Sequence, residues 1–204
     1  MPWIIGIITV GVLVMFVPLF HVVPLKAARQ QTADAAFNAT AYVETFWTGA
    51  LLQATTEAVD ATELLTALKT DRNATATRLG HRLGLSGHTS YFVSGRGEIT
   101  SITDDTVVVT LPGGATATIE IGPVFGNAIR DGSGLLNVSD FPNAQDFNAL
   151  SAEINQRVET EIFPALQAQA SVGKTVHFAG GVEISDSASD LTTFTVVPVV
   201  IEFP

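Results

Sequence analysis

Residues 90–121 read SYFVSGRGEITSITDDTVVVTLPGGATATIEI, and this stretch decides the fold class of the chain. It holds three β-type segments, which are separated by a polar turn and by a Pro-Gly-Gly turn. In the last segment Ala117, Ile119 and Ile121 alternate with polar residues, and this period of two is typical of a half-buried strand. We therefore predict three consecutive strands, at 91–102, 106–111 and 115–121.

The first predicted strand is long and contains Gly95 and Gly97, which favour a bend or a β-bulge at those positions. After a loop that follows the third strand, apolar residues recur at helical spacing. They predict a helix from about Asp140, with Pro142 in its first turn, where the missing backbone donor costs little. Pro164 should kink or end this helix.

Two further strands are predicted near the end of the chain, at 174–184 and 191–203. Pro198 suggests that the last strand lies partly at an edge or a bulge. Three strands, a helix and two strands are the element order of the five-stranded, antiparallel OB barrel, which is the fold we predict. The alternative is an open antiparallel sheet packed on the helices.

The part of the chain before these strands is predicted to be helical, which makes the fold class α+β. Apolar residues recur at helical spacing over 32–58. Asp60 and Glu63 form a capping-box-like start for a second helix. A short helical turn at 73–79 ends at Gly80.

The apolar stretch from Trp3 to Val23 contains no charged side chain. At about 1.5 Å per residue, a helix of this length crosses a hydrocarbon core of about 30 Å. The predicted organisation is a transmembrane anchor at 1–25 and a single domain at 26–204, divided into a helical segment (26–89) and an OB-like barrel (90–204). The other reading is a cleaved signal peptide, for which Ala33-Asp34-Ala35 has the small-x-small form of a cleavage site.

Composition argues against nucleic acid as a partner. The chain has a formal net charge of −10 and no basic run, so it offers little to neutralise a phosphate backbone. It contains no cysteine. That absence excludes disulfides, thiolate zinc sites, thiol catalysis and lipid attachment at a cysteine within these residues.

Several short strings occur in an order that resembles one family. They are Val23-Pro24-Leu25, FNATAYVETFW (37–47), Gly95-Arg96-Gly97, GPVFGNAIRD (122–131), GKTVHFAG (173–180) and Val197-Pro198-Val199. Together they resemble a family of predicted bacterial periplasmic lipoproteins of undefined function, over nearly the whole chain. The most specific string is GPVFGNAIRD.

The resemblance implies a domain in the periplasm, held at the inner membrane, with a sugar ABC transporter as a possible membrane-protein partner. It implies no catalytic residues. Members of the family usually carry a lipid-modified cysteine, which this chain lacks, so anchoring would pass to the uncleaved apolar helix. Lys26 and Arg29 alone would favour the cytoplasm for the residues after the span. The resemblance outweighs this weak bias.

No nucleophile elbow, P-loop, dinucleotide fingerprint or HExxH motif is present. His81, His88 and His177 are far apart in the sequence and are interpreted as surface histidines, although three such residues could also meet at a metal. Asp104-Asp105 is interpreted as a hairpin turn. We therefore predict a protein that is not an enzyme and that has no metal or cofactor.

The segment from Gly122 to Asp131 is the candidate ligand-binding site, with Gly122, Gly126, Arg130 and Asp131 as its residues. The glycines allow close approach of the backbone to a ligand, and Arg130 offers a planar fork of donors to a carboxylate or to hydroxyls. The alternative is that Arg130 pairs with an internal carboxylate or with loop carbonyls and fixes the connection.

Three functions are weighed. The first is a periplasmic accessory or interaction protein anchored in the inner membrane. The second is a small-ligand or oligosaccharide-binding OB module with a sugar as its ligand. The third, an unrecognised hydrolase, has no supporting motif.

Overall fold

The fold is built on five strands that pair in a closed circuit. The computed structural model describes residues 37–83, 87–186 and 191–204. Its strands are β1 (Val59–Asp60), β2 (His88–Ile102), β3 (Thr106–Thr110), β4 (Thr116–Glu120), β5 (Thr175–Ser185) and β6 (Thr193–Glu202). Strand β2 pairs with β3, β3 with β4, β4 with β6, β6 with β5, and β5 pairs again with β2.

The ladders of this circuit are antiparallel except β4–β6, which is parallel. A closed circuit with an odd number of strands cannot alternate direction throughout, so one parallel pair is unavoidable. The prediction of a wholly antiparallel arrangement was therefore wrong at this ladder. The short strand β1 pairs in parallel with β2, brings the sheet to six strands, and was not predicted. The predicted order of three strands, a helix and two strands is confirmed.

Strand β2 is long enough to serve two neighbours. Its residues from His88 to Glu98 face β5, and those from Glu98 to Ile102 face β3. A Cβ atom on Gly97 would lie 2.3 Å from the carbonyl oxygen of Thr110, so only glycine allows β3 to come this close. The predicted bulge is displaced from the glycines, since the register shifts between Ile99 and Ser101.

Helices occupy the positions before β2 and between β4 and β5. They are α1 (Ala39–Phe46), α2 (Leu52–Thr55), α3 (Ala61–Thr70), α4 (Arg72–Leu79), α5 (Ala128–Gly132), α6 (Ala144–Arg157) and α7 (Phe163–Gln169). A π-helical turn at Trp47–Leu51 joins α1 to α2, and another at Val158–Ile162 joins α6 to α7. Helix α5 lies within the segment that was predicted to be a loop.

Side-chain caps set where these helices begin. The Asp60 carboxylate accepts hydrogen bonds from the amides of Thr62 and Glu63, which confirms the predicted start of α3. Helix α6 begins at Ala144, because the Asn143 side chain caps the Asp146 amide at 2.9 Å. The predicted start at Asp140 was therefore early, and Pro142 precedes the helix.

Pro164 does not end the long helix, which continues to Gln169. Because Pro164 has no backbone N–H donor, the helix must depart from regular α-helical hydrogen bonding near this residue. The departure lies just before Pro164, in the π turn, where the Phe163 amide donates to the Val158 carbonyl. In β6, the register shift against β5 lies next to Pro198, as the sequence predicted for a bulge.

The core fills the inside of the strand circuit and the space beneath α6. Inward positions alternate along β3 and β4 as the period of two predicted. Fully or almost fully buried side chains on these elements are Val107, Val109, Ala117, Ile119, Phe147, Leu150, Ile154 and Val158. No helix in the described residues has the length and apolarity to cross a bilayer. The predicted anchor at 1–25 lies outside the described residues.

Candidate functional site

The predicted site runs from the end of β4 into helix α5, and its residues lie in three different environments. These are the β2–β3 turn, the loop that lies on α6, and helix α5 itself. Gly122 lies against the β2–β3 turn. The amides of Ile121 and Gly122 both donate to the Asp105 carbonyl, at 2.8 and 3.0 Å. A Cβ atom on Gly122 would lie 2.8 Å from the Asp105 carboxylate, so this glycine packs against the protein itself. Asp104 and Asp105 lie in the turn, as predicted.

Carboxylates approach one another beside Gly122. Burial raises the pKa of Glu120 above its ordinary value of 4.5, and the nearby Asp105 carboxylate raises it further. A backbone hydrogen bond from Gly122 opposes this rise in the pKa. The net result is a raised pKa, so the Glu120 carboxyl group keeps its proton to a higher pH than an exposed glutamate does.

Helix α5 lies directly on the backbones of β2 and β5. A Cβ atom on Gly132 would be 2.5 Å from the Tyr91 carbonyl oxygen, and one on Gly181 would be 2.3 Å from the Ala128 carbonyl oxygen. Glycine at these two positions permits the close approach. The side chains of α5 are consequently enclosed between the strands and helix α6.

Arg130 is only 5% exposed, and its Nε and Nη1 donate hydrogen bonds inside the protein. Its Nε donates to Asp131 Oδ1 at 2.6 Å, and its Nη1 donates to Asn148 Oδ1 at 3.1 Å and to the Phe147 carbonyl at 3.3 Å. The guanidinium lies 4.0 Å from the centre of the Phe147 ring. Arg130 and Asp131 therefore fix α5 to α6, which is the internal pairing that the sequence had left open.

The loop between Gly122 and helix α5 is held by one hydrogen bond before Phe125 and one after it. The Val124 amide donates to Glu159 Oε1 at 2.7 Å, and Asn155 Nδ2 donates to the Gly126 carbonyl at 3.1 Å. Gly126 has a φ of +88°, which favours glycine and turns the chain back toward the helix. The loop is therefore pinned to α6 and to the π turn.

Phe125 is the side chain that this loop presents. Its ring is 85% exposed, against 64% for Val172, the next most exposed large hydrophobic side chain among the described residues. Phe125 borders an open cleft of about 690 Å³. The cleft is lined by Val124, Phe125, Gly126, Ala152, Asn155, Gln156, Glu159 and Thr160.

The predicted segment passes through this cleft, but Phe125 was not among the predicted residues. Of the four predicted residues, only Gly126 lines the cleft. A sequence signal existed, since an aromatic residue placed between Pro123 and Gly126 in a loop has no strand or helix face to bury it. The sequence instead predicts ligand contact through the loop backbone and Arg130.

The three histidines considered as metal ligands lie at different places in the fold. His81 bridges to Ser90 through its backbone, and its ring lies against Gly134. His88 begins β2, and His177 is on β5. Within residues 37–83, 87–186 and 191–204, no group of three or more acidic or histidine side chains could hold a metal ion.

The outward face of β3 and β4 is lined with threonines. Thr106, Thr110, Thr116 and Thr118 alternate with buried residues, and Thr110 pairs with Thr116. OB folds often bind oligonucleotides or oligosaccharides on the face of their second and third strands. Neither β3 nor β4 contains an aromatic or basic residue, so this face offers no stacking ring and no cation for phosphate.

The strand circuit, with its helix between the third and fourth long strands, defines an OB-fold protein. The crystal structure of an OB-fold protein from Thermotoga maritima MSB8 is similar to this chain, with a TM-score of 0.72 and 24% sequence identity. The similarity covers 83% of this chain and 99% of that one. The predicted OB-like fold is confirmed by this similarity.

The chain belongs to the family described as "Predicted periplasmic lipoprotein (DUF2291)", whose model matches residues 10–202. The family resemblance seen in the short strings is therefore confirmed. Membership places the domain in the periplasm. No curated protein matches the chain.

The buried Arg130–Asp131 pair generates a stability prediction. Arg130→Met should lower the free energy of unfolding by about 3–5 kcal/mol, because it leaves the Asp131 carboxylate enclosed without its partner. Urea denaturation monitored by circular dichroism measures the change.

The double variant Arg130→Met/Asp131→Leu is the control, since it removes both charges and should recover much of the lost stability. A single variant as stable as the parent would show that the pair is not a structural requirement. Arg130 would then become a candidate for ligand binding.

Proposed function

We propose that the chain is a membrane-tethered periplasmic interaction protein that docks a protein partner through Phe125 and its cleft. The observation that carries the proposal is a large aromatic side chain, 85% exposed, on a loop that is pinned in place. Exposed aromatic rings are costly in water and are enriched among the residues that dominate protein interfaces.

Pinning matters because it lowers the entropy cost of binding. The hydrogen bonds from Val124 to Glu159 and from Asn155 to Gly126 hold the backbone on either side of Phe125. A partner that encloses the ring therefore does not need to order the loop first. This arrangement suits recognition by contact, in agreement with the proposed absence of enzymatic activity.

The π turn supports the same surface. Glu159 belongs to the Val158–Ile162 turn, and its carboxylate accepts the Val124 amide. A π turn interrupts the regular hydrogen bonding of an α-helix and often occurs at functional positions. Here the turn serves both to admit Pro164 and to place Glu159 under the Phe125 loop.

Replacing Phe125 with a photo-crosslinkable p-benzoylphenylalanine tests the proposal in cells. We expect one discrete crosslinked product containing a membrane protein, which mass spectrometry of the purified product identifies. A sugar ABC transporter component is the partner that the family resemblance suggests. Phe125→Ala should remove co-purification of this partner while changing unfolding stability by less than about 0.5 kcal/mol.

Val172 provides a matched control position, because it is the next most exposed large apolar side chain and does not line the cleft. The same crosslinker at Val172 should give no such product. No discrete product from position 125, or the same products from both positions, would contradict docking through Phe125.

A neutral oligosaccharide is the second candidate ligand of this cleft. Besides the Phe125 ring, the cleft offers the amides of Asn155 and Gln156 and the hydroxyl of Thr160. Amide and hydroxyl groups pair with sugar hydroxyls, and an aromatic ring can pack on the apolar face of a sugar.

Thermal-shift measurements with neutral di- and trisaccharides separate the two candidates. If the ligand is a sugar, the melting temperature rises with sugar concentration, and Gln156→Ala and Phe125→Ala both remove the rise. Gln53→Ala, an exposed amide in α2, is the control and should retain it. No rise with any sugar excludes this second candidate and leaves docking of a protein.

The tether is the third part of the proposal. Residues 3–23 are free of charge, and none of the chain's residues is a cysteine that could carry a lipid. We propose that this apolar segment crosses the inner membrane as a helix. Its length of about 20 residues suits a bilayer core of about 30 Å.

Leu13→Arg tests the tether, because an arginine at the centre of a span costs about 2.5–3.5 kcal/mol of insertion free energy. We expect the parent protein to stay with carbonate-washed membranes and the variant to move toward the soluble fraction. Leu52→Arg, a change at an exposed position of the domain, should stay with the membranes. A parent protein that is released by carbonate, or is trimmed near Ala35, would contradict the tether.

A further inference from the structure

A second cleft, of about 330 Å³, lies on the outer face of β2, β5 and β6 and shares no lining residue with the Phe125 cleft. Arg96 on β2 is paired in register with His177 on β5, and His177 is paired with Glu202 on β6. Side chains of directly opposed residues point to the same face of a sheet. Arg96, His177 and Glu202 therefore form one row across three strands.

The next row makes a shallow floor of small side chains. Ser94 is paired with Ala179, and Ala179 with Val200. One side is closed by Thr55 at the end of α2 and by Asp60, which lies in β1 and caps α3. The result is a small-ligand cleft with charged groups on its rim and an uncharged floor, at the lower end of the usual range of about 300–1,000 Å³.

The charged groups of the row do not neutralise one another. Neither Arg96 nor Glu202 takes part in an ion pair within 4.0 Å in the part of the chain that the structure describes. They stand two strand spacings apart, about 10 Å, with His177 between them. The Asp60 carboxylate, which caps α3, adds a second negative group to the cleft.

The imidazole between these charges carries an unused polar atom. His177 Nε2 is buried and has no hydrogen-bond partner among the described residues. A buried polar atom without a hydrogen-bond partner is energetically unfavourable, so it needs a functional or structural reason. A ligand lying along the row would supply the missing hydrogen bond.

We propose that this cleft binds a small zwitterion of the α-amino acid class. The Arg96 fork holds the ligand carboxylate, and Glu202 with Asp60 holds its ammonium group. His177 Nε2 hydrogen-bonds to the ligand between the two. A cation at one end of the row and a carboxylate at the other suit opposite charges on one small molecule. This site is independent of docking through Phe125.

Isothermal titration calorimetry of the full chain in detergent tests the proposal, with L-alanine and L-glutamine as zwitterions and acetate and ethylamine as single-charge probes. The zwitterions should bind, and each single-charge probe should bind at least about tenfold more weakly. Arg96→Gln and Glu202→Gln should each weaken zwitterion binding at least about tenfold. Both residues are exposed, so these variants should fold as the parent does.

Arg78→Gln on α4 and Glu153→Gln on α6 are the matched controls, since they remove the same charges away from the cleft, and both should retain parental affinity. No zwitterion binding up to about 10 mM would overturn the proposal. Acetate binding as tightly as L-alanine would show a simple anion site and would overturn it equally. Equal losses in the control variants would place the ligand elsewhere.

Discussion

Sharing of strand β2 between two neighbours is the constraint on which the rest of the structure depends. A strand that pairs with β5 along one half and with β3 along the other brings the first and last parts of the sheet together. Gly97 makes this possible, because any side chain there would collide with the backbone of β3. Closure around five strands then requires one parallel ladder, and β4–β6 supplies it. The topology thus follows from one long strand and from strand number.

The same circuit determines which residues of the Gly122–Asp131 segment can meet a partner. Because Gly132 and Gly181 let α5 rest on the strand backbones, the side chain of Arg130 is enclosed and forms an ion pair with Asp131. The chain before α5 must then cross the surface of α6. There it is pinned by two side chains of the helix, and Phe125 is left outward. Within this one segment, Arg130 is therefore buried and Phe125 is exposed.

Much of the fold was predictable from the sequence, because its signals are local. Alternation along β4 and the Asp60 cap of α3 depend on neighbouring residues and were identified correctly. Strand β1 is two residues long and α5 five residues long, so neither is long enough to show a period. The parallel ladder joins β4 to β6, which are far apart in the sequence and meet only when the strand circuit closes.

The candidate site was predictable only as a segment, for a related reason. Arginine and glycine in one short string look the same whether the arginine faces a ligand or an internal carboxylate, and only the packing of α5 decides between these roles. Likewise, Arg96, His177 and Glu202 are far apart in the chain and meet only through strand register. An OB fold allows many functions, so specificity must come from such side chains on its surface. In this chain they are an apolar ring at one cleft and separated charges at another, which suit different ligands.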